Sequence, residues 1–556
     1  MKKYFLFGFM IFAFFVCGIF LSVSHRSRLS ENYEIETPGE NEAMKSFEWW
    51  YAQRALPYEF IPRAGFQKAA RYLQSSMKKE RKLLINGLAG SEWTSMGPTN
   101  IGGRVLAIAV NPDNTNIVWA GSASGGLWKS ISGGTGSNAW SYINTGYNSL
   151  SISAIVLDTF DPNIMYIGTG EISMYHRPLV GTPGARASYG MGILKSTNGG
   201  TTWNQTGLIW SFPEITAIQK IVINPLNTQT IFAATSEGVY KSVDAGTTWI
   251  KSNSVLMAMD VVINPNDTSA LFSSHGNLNS SPNPGLYKTT NSGASWFMLT
   301  NELPATDFGR TSLSVSPSNP SIIYASISDG STGSALGLYK TTNNGNAWTL
   351  INSTNIFGTV SRQGWYDNTI AVHPANSDTI FCGGIDIYKS TNGGGNLGVI
   401  SVGVVHVDQH AIAFDPTNPN IIYFGTDGGV YKTTNGGASF INCNNGFVTT
   451  QFYPGFANAY DDSTIAIGGL QDNGTLKYSG GGYWGNLLGA DGGFCAIDPN
   501  NHDIMYYETQ WLQLYKTTNG GWSASYNVNG LPTGSGNTNF IAPSANRSPT
   551  SFFLCG

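Results

Sequence analysis

Six acidic residues fall in loops where carboxylates would do chemistry. They are Glu171 in "GTGEISMYHRPLVGTPGARASYG", Asp386 in "GGIDIYKS", Asp427 in "GTDGGVYKT", Asp472 in "GGLQDNGT", Asp491 just before "GGFCAIDP", and Glu508 in "YETQWLQLYKT". Two such groups, about 5 to 9.5 Å apart, are what glycosidic bond cleavage needs: one protonates the leaving oxygen, the other attacks or activates water. Asp472 is the candidate general acid or base, with Asp427, Asp491 or Glu171 as its partner. Arg104, Arg310, Arg362, Trp365, Gln471 and Asp408 are the candidate ligand contacts, and Trp365, Tyr366 and Trp511 offer flat faces for sugar rings. Beside this stands the plainer reading that buried Asp and Arg bond loop backbone and that "DGG" is turn chemistry. In "HVDQH", alternation along a strand would point His406, Asp408 and His410 at one metal. His410 also leads into an apolar strand, as a core histidine would. No second ligand cluster accompanies it, and neither metal nor cofactor is expected.

These residues must be positioned by a repeat. "KSVDAGTTW" (241–249) returns as "KSTNGGTTW" (195–203), "KTTNSGASW" (288–296), "KTTNNGNAW" (340–348), "KSTNGGGNL" (389–397), "KTTNGGASF" (432–440) and "KTTNGGW" (516–522), with a degenerate first copy at Lys129. From Lys195 to Lys432 the copies start 43 to 52 residues apart, the size of a four-stranded propeller blade. Upstream of each lies an apolar strand, a tight Asn/Asp-Pro turn and a second apolar strand, as in "RVLAIAVNPDNTNIVWAG" (104–121). The blade is therefore strand A, the Pro turn, strand B, a B–C loop, strand C, the recurring phrase, and strand D. Asp244 is expected to bond the amides of its own turn, Gly246 to take a positive φ, and Trp249 to fill the gap between sheets. Asn replaces Asp in most copies, which a catalytic carboxylate would not tolerate, so the phrase is structural. Arg104, Asp408 and Asp491 each stand eight residues before the Pro of their own strand A turn, and equivalent positions should line one rim of the channel.

The phrase resembles the BNR or Asp-box repeat of sialidases, sortilin-type receptors and two-propeller xyloglucanase-type glycoside hydrolases, over roughly residues 95–556. The resemblance implies an all-β propeller of about nine complete blades plus a further fragment. Either one large ring of the sortilin kind, or seven blades (95–445) followed by further blades of a second ring (446–556), would satisfy it. It also implies an Asp in the first-blade loop of each ring. "GGLQDNGT" supplies Asp472 for the second, but the first reads "GSASGG", with Ala123 where the acid should stand. Glu171, one blade on, would have to take that role. A sialidase needs three arginines on the substrate carboxylate and an Arg-Ile-Pro motif, and "FIPR" (60–63) is not that motif.

Charged residues make up only 12% of the 556-residue chain and the net charge is −4, so nothing electrostatic points to nucleic acid. Lys2 and Lys3 precede an apolar run that ends in small residues at Ser22 and Ser24, which reads as a signal peptide (1–24). The alternative is an uncleaved membrane anchor. A secreted or cell-surface location follows from either. Residues 25–94 read as a linker and a helical arm, in which Phe66, Ala69, Ala70, Leu73 and Met77 mark one apolar face. The final "SPTSFFLCG" reads as part of another blade, so the chain is expected to be a piece of a longer protein. Three function classes stay open: a carbohydrate-active enzyme, a glycan- or peptide-binding module, and a structural repeat.

Overall fold

The computed structural model describes residues 94–547 apart from 172–188, 212–213, 215, 279–280 and 359–360, together with Trp49, residues 52–58, a few positions within 65–75, and the strand Phe552–Cys555. The expected signal peptide and linker, most of the arm, and most of the long 168–190 loop lie outside the described residues.

Among the described residues, nine four-stranded antiparallel sheets follow one another, each built from four consecutive strands A to D. Blades 1 to 7 span residues 105–143, 152–209, 218–253, 258–298, 308–352, 369–399 and 409–442; blades 8 and 9 span 457–488 and 492–526. A two-strand hairpin, Ser544–Arg547 with Phe552–Cys555, comes last. Strand A of each of the first six blades packs on strand A of the next, and that of blade 7 packs on that of blade 1. Seven blades therefore close a ring. The arrangement is a β-propeller, with blades 8 and 9 following the ring.

Local chemistry explains why each blade folds. Strand B, as in Ile231–Thr235 and Ile422–Thr426, is buried at every residue because sheets cover both of its faces. Before it, an Asn or Asp side chain closes the turn: Asn111 Oδ1 accepts the amides of Asp113 and Asn114 at 2.9 and 3.0 Å, and Asp415 Oδ1 those of Thr417 and Asn418. In the recurring phrase, Ser242 Oγ accepts the Gly246 amide and Asp244 Oδ1 the Thr248 amide, at 2.9 and 2.8 Å. Thr248 Oγ1 donates to Asp244 Oδ2 at 2.6 Å. Where Asn stands instead, its amide donates to the same hydroxyl: Asn198 Nδ2 to Thr202 Oγ1 at 2.8 Å. A hydroxyl can give or accept a proton, so Asp and Asn are interchangeable here.

The lysine that opens the phrase links blades. Lys195, Lys241, Lys288, Lys389 and Lys432, with Lys477 at the same place in blade 8, each donate through Nζ to a turn carbonyl of the following blade: Ala245, Ser292, Asn344, Gly436, Gly133 and Gly520, which follow an Asp or Asn except for Gly133, after Ser132. Those acceptors all have φ between 54° and 66°, a left-handed turn that aims the carbonyl outward. Most of these lysines also lie over an aromatic ring of strand B, as Lys432 does 4.9 Å from the Tyr423 centroid. Burial lowers the pKa of Lys195, Lys241 and Lys288.

The seam between blades 7 and 1 is closed without a shared strand. Trp140 Nε1 donates to the Cys443 carbonyl at 2.7 Å, the Ala139 amide to Asn445 O at 2.9 Å, and the Gly103 amide to Thr449 Oγ1 at 2.9 Å. Trp128, Trp140, Tyr423 and Phe447 pack there into one core. Residues 96–101 then tie blade 8 to the ring. Thr99 donates its amide to Gly482 O and accepts the Gly446 amide, while Asn100 exchanges hydrogen bonds with the Trp484 backbone. The arm reaches the far blades, where Trp49 packs edge-on to Tyr453 beside Phe540 and Ile541.

Candidate functional site

The centre of the ring is filled. The loop between blades 5 and 6 sends Trp365, Tyr366 and Asp367 inward, each at most 1% exposed. Arg310 donates to the carbonyls of Trp365 and Tyr366. Arg104 forms a two-point ion pair with Glu171, at 3.0 and 3.2 Å, with both side chains buried. Its Nη1 also donates to the Tyr366 hydroxyl at 3.1 Å. Burial alone would lower the Arg104 pKa, but the charges of Glu171, Tyr366, Asp427 and Asp472 together outweigh it and the value is raised. Arg310 lacks so direct a partner, and burial brings it down to about 10.

Carboxyl groups gather between this plug and blade 8. Oxygens of Asp408, Asp427 and Asp472 all lie within 4.8 Å of one another. Asp427 accepts from the Tyr366 hydroxyl and, at 2.6 Å, faces His410 Nε2. Gln363 Nε2 bridges Asp367 and Asp408. Asp427 and Asp472 are thus close neighbours, and Gln363 draws Asp367 and Asp408 together. Burial would raise Asp427, but His410 and Arg104 hold it well below the usual carboxylate range. Asp472 is pushed well above that range by burial and by the charges of Asp491 and Asp427. Asp367 and Asp408 are also raised, chiefly by burial and by neighbouring carboxylates.

Of these acids Asp408 and Asp472 are partly exposed, and Asp472 lines open space. A groove of about 340 Å³ separates blade 7 from blade 8, lined by Asn100, Asn442, Asn444, Asn473 and Asn486 with His406, Tyr431 and Asp472. Asp472 has φ 59°, a left-handed posture that side chains other than Gly adopt only when held. Its amide donates to Asp491 Oδ1 at 2.7 Å, and its carbonyl faces His406 Nε2 at 2.9 Å. Asp491 is buried and is also bonded by Tyr453 and Gln510, so it orients the loop rather than entering the groove.

Among solved structures, the chain is similar to the GH74 xyloglucanase from Xanthomonas campestris, at 15% identity over 79% of this chain and 76% of that one, with a TM-score of 0.52. It is also similar to an ancestral GH74 enzyme, at 14% identity over 84% of this chain and 78% of that one, with a TM-score of 0.51. No family model and no curated protein matches the sequence. The likeness is one of fold.

The residues singled out from sequence thus divide. Asp408, Asp427, Asp472 and Asp491 come together, and Arg104 with Glu171 adjoins them through Tyr366. Gln471 is buried beside them, its carbonyl accepting from Asn473 Nδ2. Arg310 and Trp365 are buried in the plug, with no face open to a ligand. Arg362 is exposed on the plug loop, with φ 45°. Trp511 packs edge-on to Phe540. His406, Asp408 and His410 do not share a focus: His410 turns to Asp427 and His406 to the Asp472 carbonyl. Sequence reasoning missed Asp367 and Gln363, and it read Tyr366 as a stacking face rather than a hydroxyl relay. The eight-residue offset was the available signal, since counted back from Pro374 it lands on Tyr366.

Proposed function

We propose that this chain is a glycan-binding propeller whose site is the groove between blade 7 and blade 8, and that it binds its ligand without cleaving it. One observation carries the reading: among the described residues, the groove lining holds one carboxyl, Asp472. Glu171 is locked to Arg104, Asp427 to His410 and Tyr366, and Asp491 to the loop amide. Cleavage would need a second acid across the bond, about 5 Å away or more, whereas Asp408 and Asp427 crowd within 4.8 Å of Asp472 on its own side. Ala123, where the resemblance calls for that acid, is buried.

Five asparagines with Tyr431 offer paired donors and acceptors of the kind that match sugar hydroxyls. No Lys or Arg is among the described lining residues, which favours a neutral glycan over an acidic one. The basic and apolar residues 2–24 support export, so the ligand would be met outside the cell. The test is calorimetry with cello- and xylogluco-oligosaccharides, alongside a product assay. Binding without products is the expected result. Turnover abolished by Asp472→Ala would overturn it in favour of a hydrolase.

A further inference from the structure

The hydrogen bonds around Asp427 have a fixed direction. A guanidinium only donates, so Arg104 Nη1 must give its proton to the Tyr366 oxygen. The single Tyr366 hydroxyl hydrogen then points at Asp427 Oδ2. Asp427 Oδ1 faces His410 Nε2 at 2.6 Å. Asp427 Oδ2 is thereby committed as an acceptor, and with Oδ1 set against the imidazole Asp427 is the ionised member of its pair with Asp472, whose carboxyl oxygen lies within 4.8 Å. A second carboxylate in contact with it would place two negative charges together, which paired carboxyls avoid by retaining a proton. That proton belongs on Asp472, whose backbone is fixed by Asp491 and His406 and whose side chain lines the groove.

We infer that Asp427 and Asp472 share one proton, and that Asp472 enters the groove as a neutral hydrogen-bond donor to the ligand. The donor role rests on the glycan reading above; the shared proton does not. The charged or titratable groups facing the pair are Asp408, His406 and His410 of blade 7, Arg104 ahead of blade 1, Tyr366 ahead of blade 6, and Asp491 ahead of blade 9. The upward displacement of Asp472 by burial, Asp491 and Asp427 agrees in sign. Asp427 is then a positioning residue. It touches no groove atom of the ligand and acts by keeping its neighbour protonated.

The sign is explicit. The protonated form of Asp472 binds, so affinity is full at low pH and falls as pH rises through its elevated value, by about tenfold for each pH unit beyond it. Two measurements on the full chain test this. Infrared difference spectra at pH 7, wild type minus Asp472→Asn, should show one protonated-carboxyl band over those of Asp367 and Asp408 that cancel, and in Asp427→Asn that band should titrate at lower pH. Absence of the difference band would overturn the shared proton. Calorimetry with xylogluco-oligosaccharides from pH 5 to pH 9 should show wild-type affinity falling while Asp472→Asn, a permanent donor, stays level and Asp472→Ala binds weakly throughout. Asp472→Asn binding as weakly as Asp472→Ala would overturn the donor role. A band present with no oligosaccharide bound at any pH would keep the shared proton and overturn the glycan reading.

Discussion

Lys432 Nζ reaches from blade 7 to the Gly133 carbonyl of blade 1, 3.4 Å away, while its charge lies over the Tyr423 ring. The same contact joins neighbouring blades elsewhere, but here it closes the ring. Lys432→Met keeps the apolar stem and removes the charge. It should destabilise the ring by about 1 to 2 kcal/mol, the usual worth of a charged hydrogen bond with a ring contact. Urea unfolding checks this, and Lys477→Met, which lies outside the ring, serves as the comparison. Equal unfolding of wild type and Lys432→Met would show the seam to rest on the Trp140 and Phe447 packing alone.

Asp244→Asn should leave the melting temperature unchanged at pH 7, because Thr248 Oγ1 can accept from the new amide as Thr202 does from Asn198. Asp244→Ala should lower it, leaving the Thr248 amide without its acceptor. The margin of wild type over Asp244→Ala should be full at pH 7 and narrow as pH falls toward about 2, where hydrogen bonds from Thr248 and Ser242 hold the Asp244 carboxyl. Melting curves of the three proteins between pH 2 and pH 7 decide it.

His275 is fully buried, with Nδ1 on the Val255 carbonyl at 2.9 Å and Nε2 near Ser273 and Asn253. Burial pushes its pKa down from 6.5 to about 4. The unfolded chain therefore takes up the proton first. This contribution is complete above pH 6.5, and on the order of 3 kcal/mol is lost as pH falls toward 4. The raised carboxyls Asp367, Asp408 and Asp472 act in the opposite direction, so the comparison must be with a variant. Urea unfolding of His275→Asn between pH 7 and pH 4 should be flatter than wild type by that amount; parallel curves would refute the assignment.

Gly489 lines the groove and has open space where a Cβ would stand. Gly489→Leu should fill the groove, abolish oligosaccharide binding and leave melting unaltered. Binding at wild-type affinity would place the ligand elsewhere.

How far sequence reached follows from what each feature depends on. The blades were legible because Pro turns, alternating strands and the recurring phrase are local. The offset before each strand A turn marked Arg104, Asp408 and Asp491 as equivalent positions, since register carries position along a strand. What no local pattern reveals is the loop that crosses the ring. That Tyr366 bonds Arg104 and Asp427 depends on blades 1, 6 and 7 meeting at the centre. The lysine was read as part of a turn phrase, although its partner lies some fifty residues on, in another blade. The groove was missed for the same reason. Asn100, Asn444 and Asn486 become neighbours only when residues 96–101 fasten blade 8 to the ring.

Every blade is made of four successive strands, and the seam is closed by side chains and loop amides alone. The unit of sequence repetition is thus also the unit of architecture. A duplication or deletion of about 45 residues, the length of one repeat, adds or removes a finished blade and splits no sheet. Such a chain can change its number of blades in a single genetic event, with the new curvature absorbed at one junction. A propeller that completes its first blade with a strand from its last has no such freedom. The plain seam between Trp140 and Cys443 leaves blade number open to inheritance by whole steps.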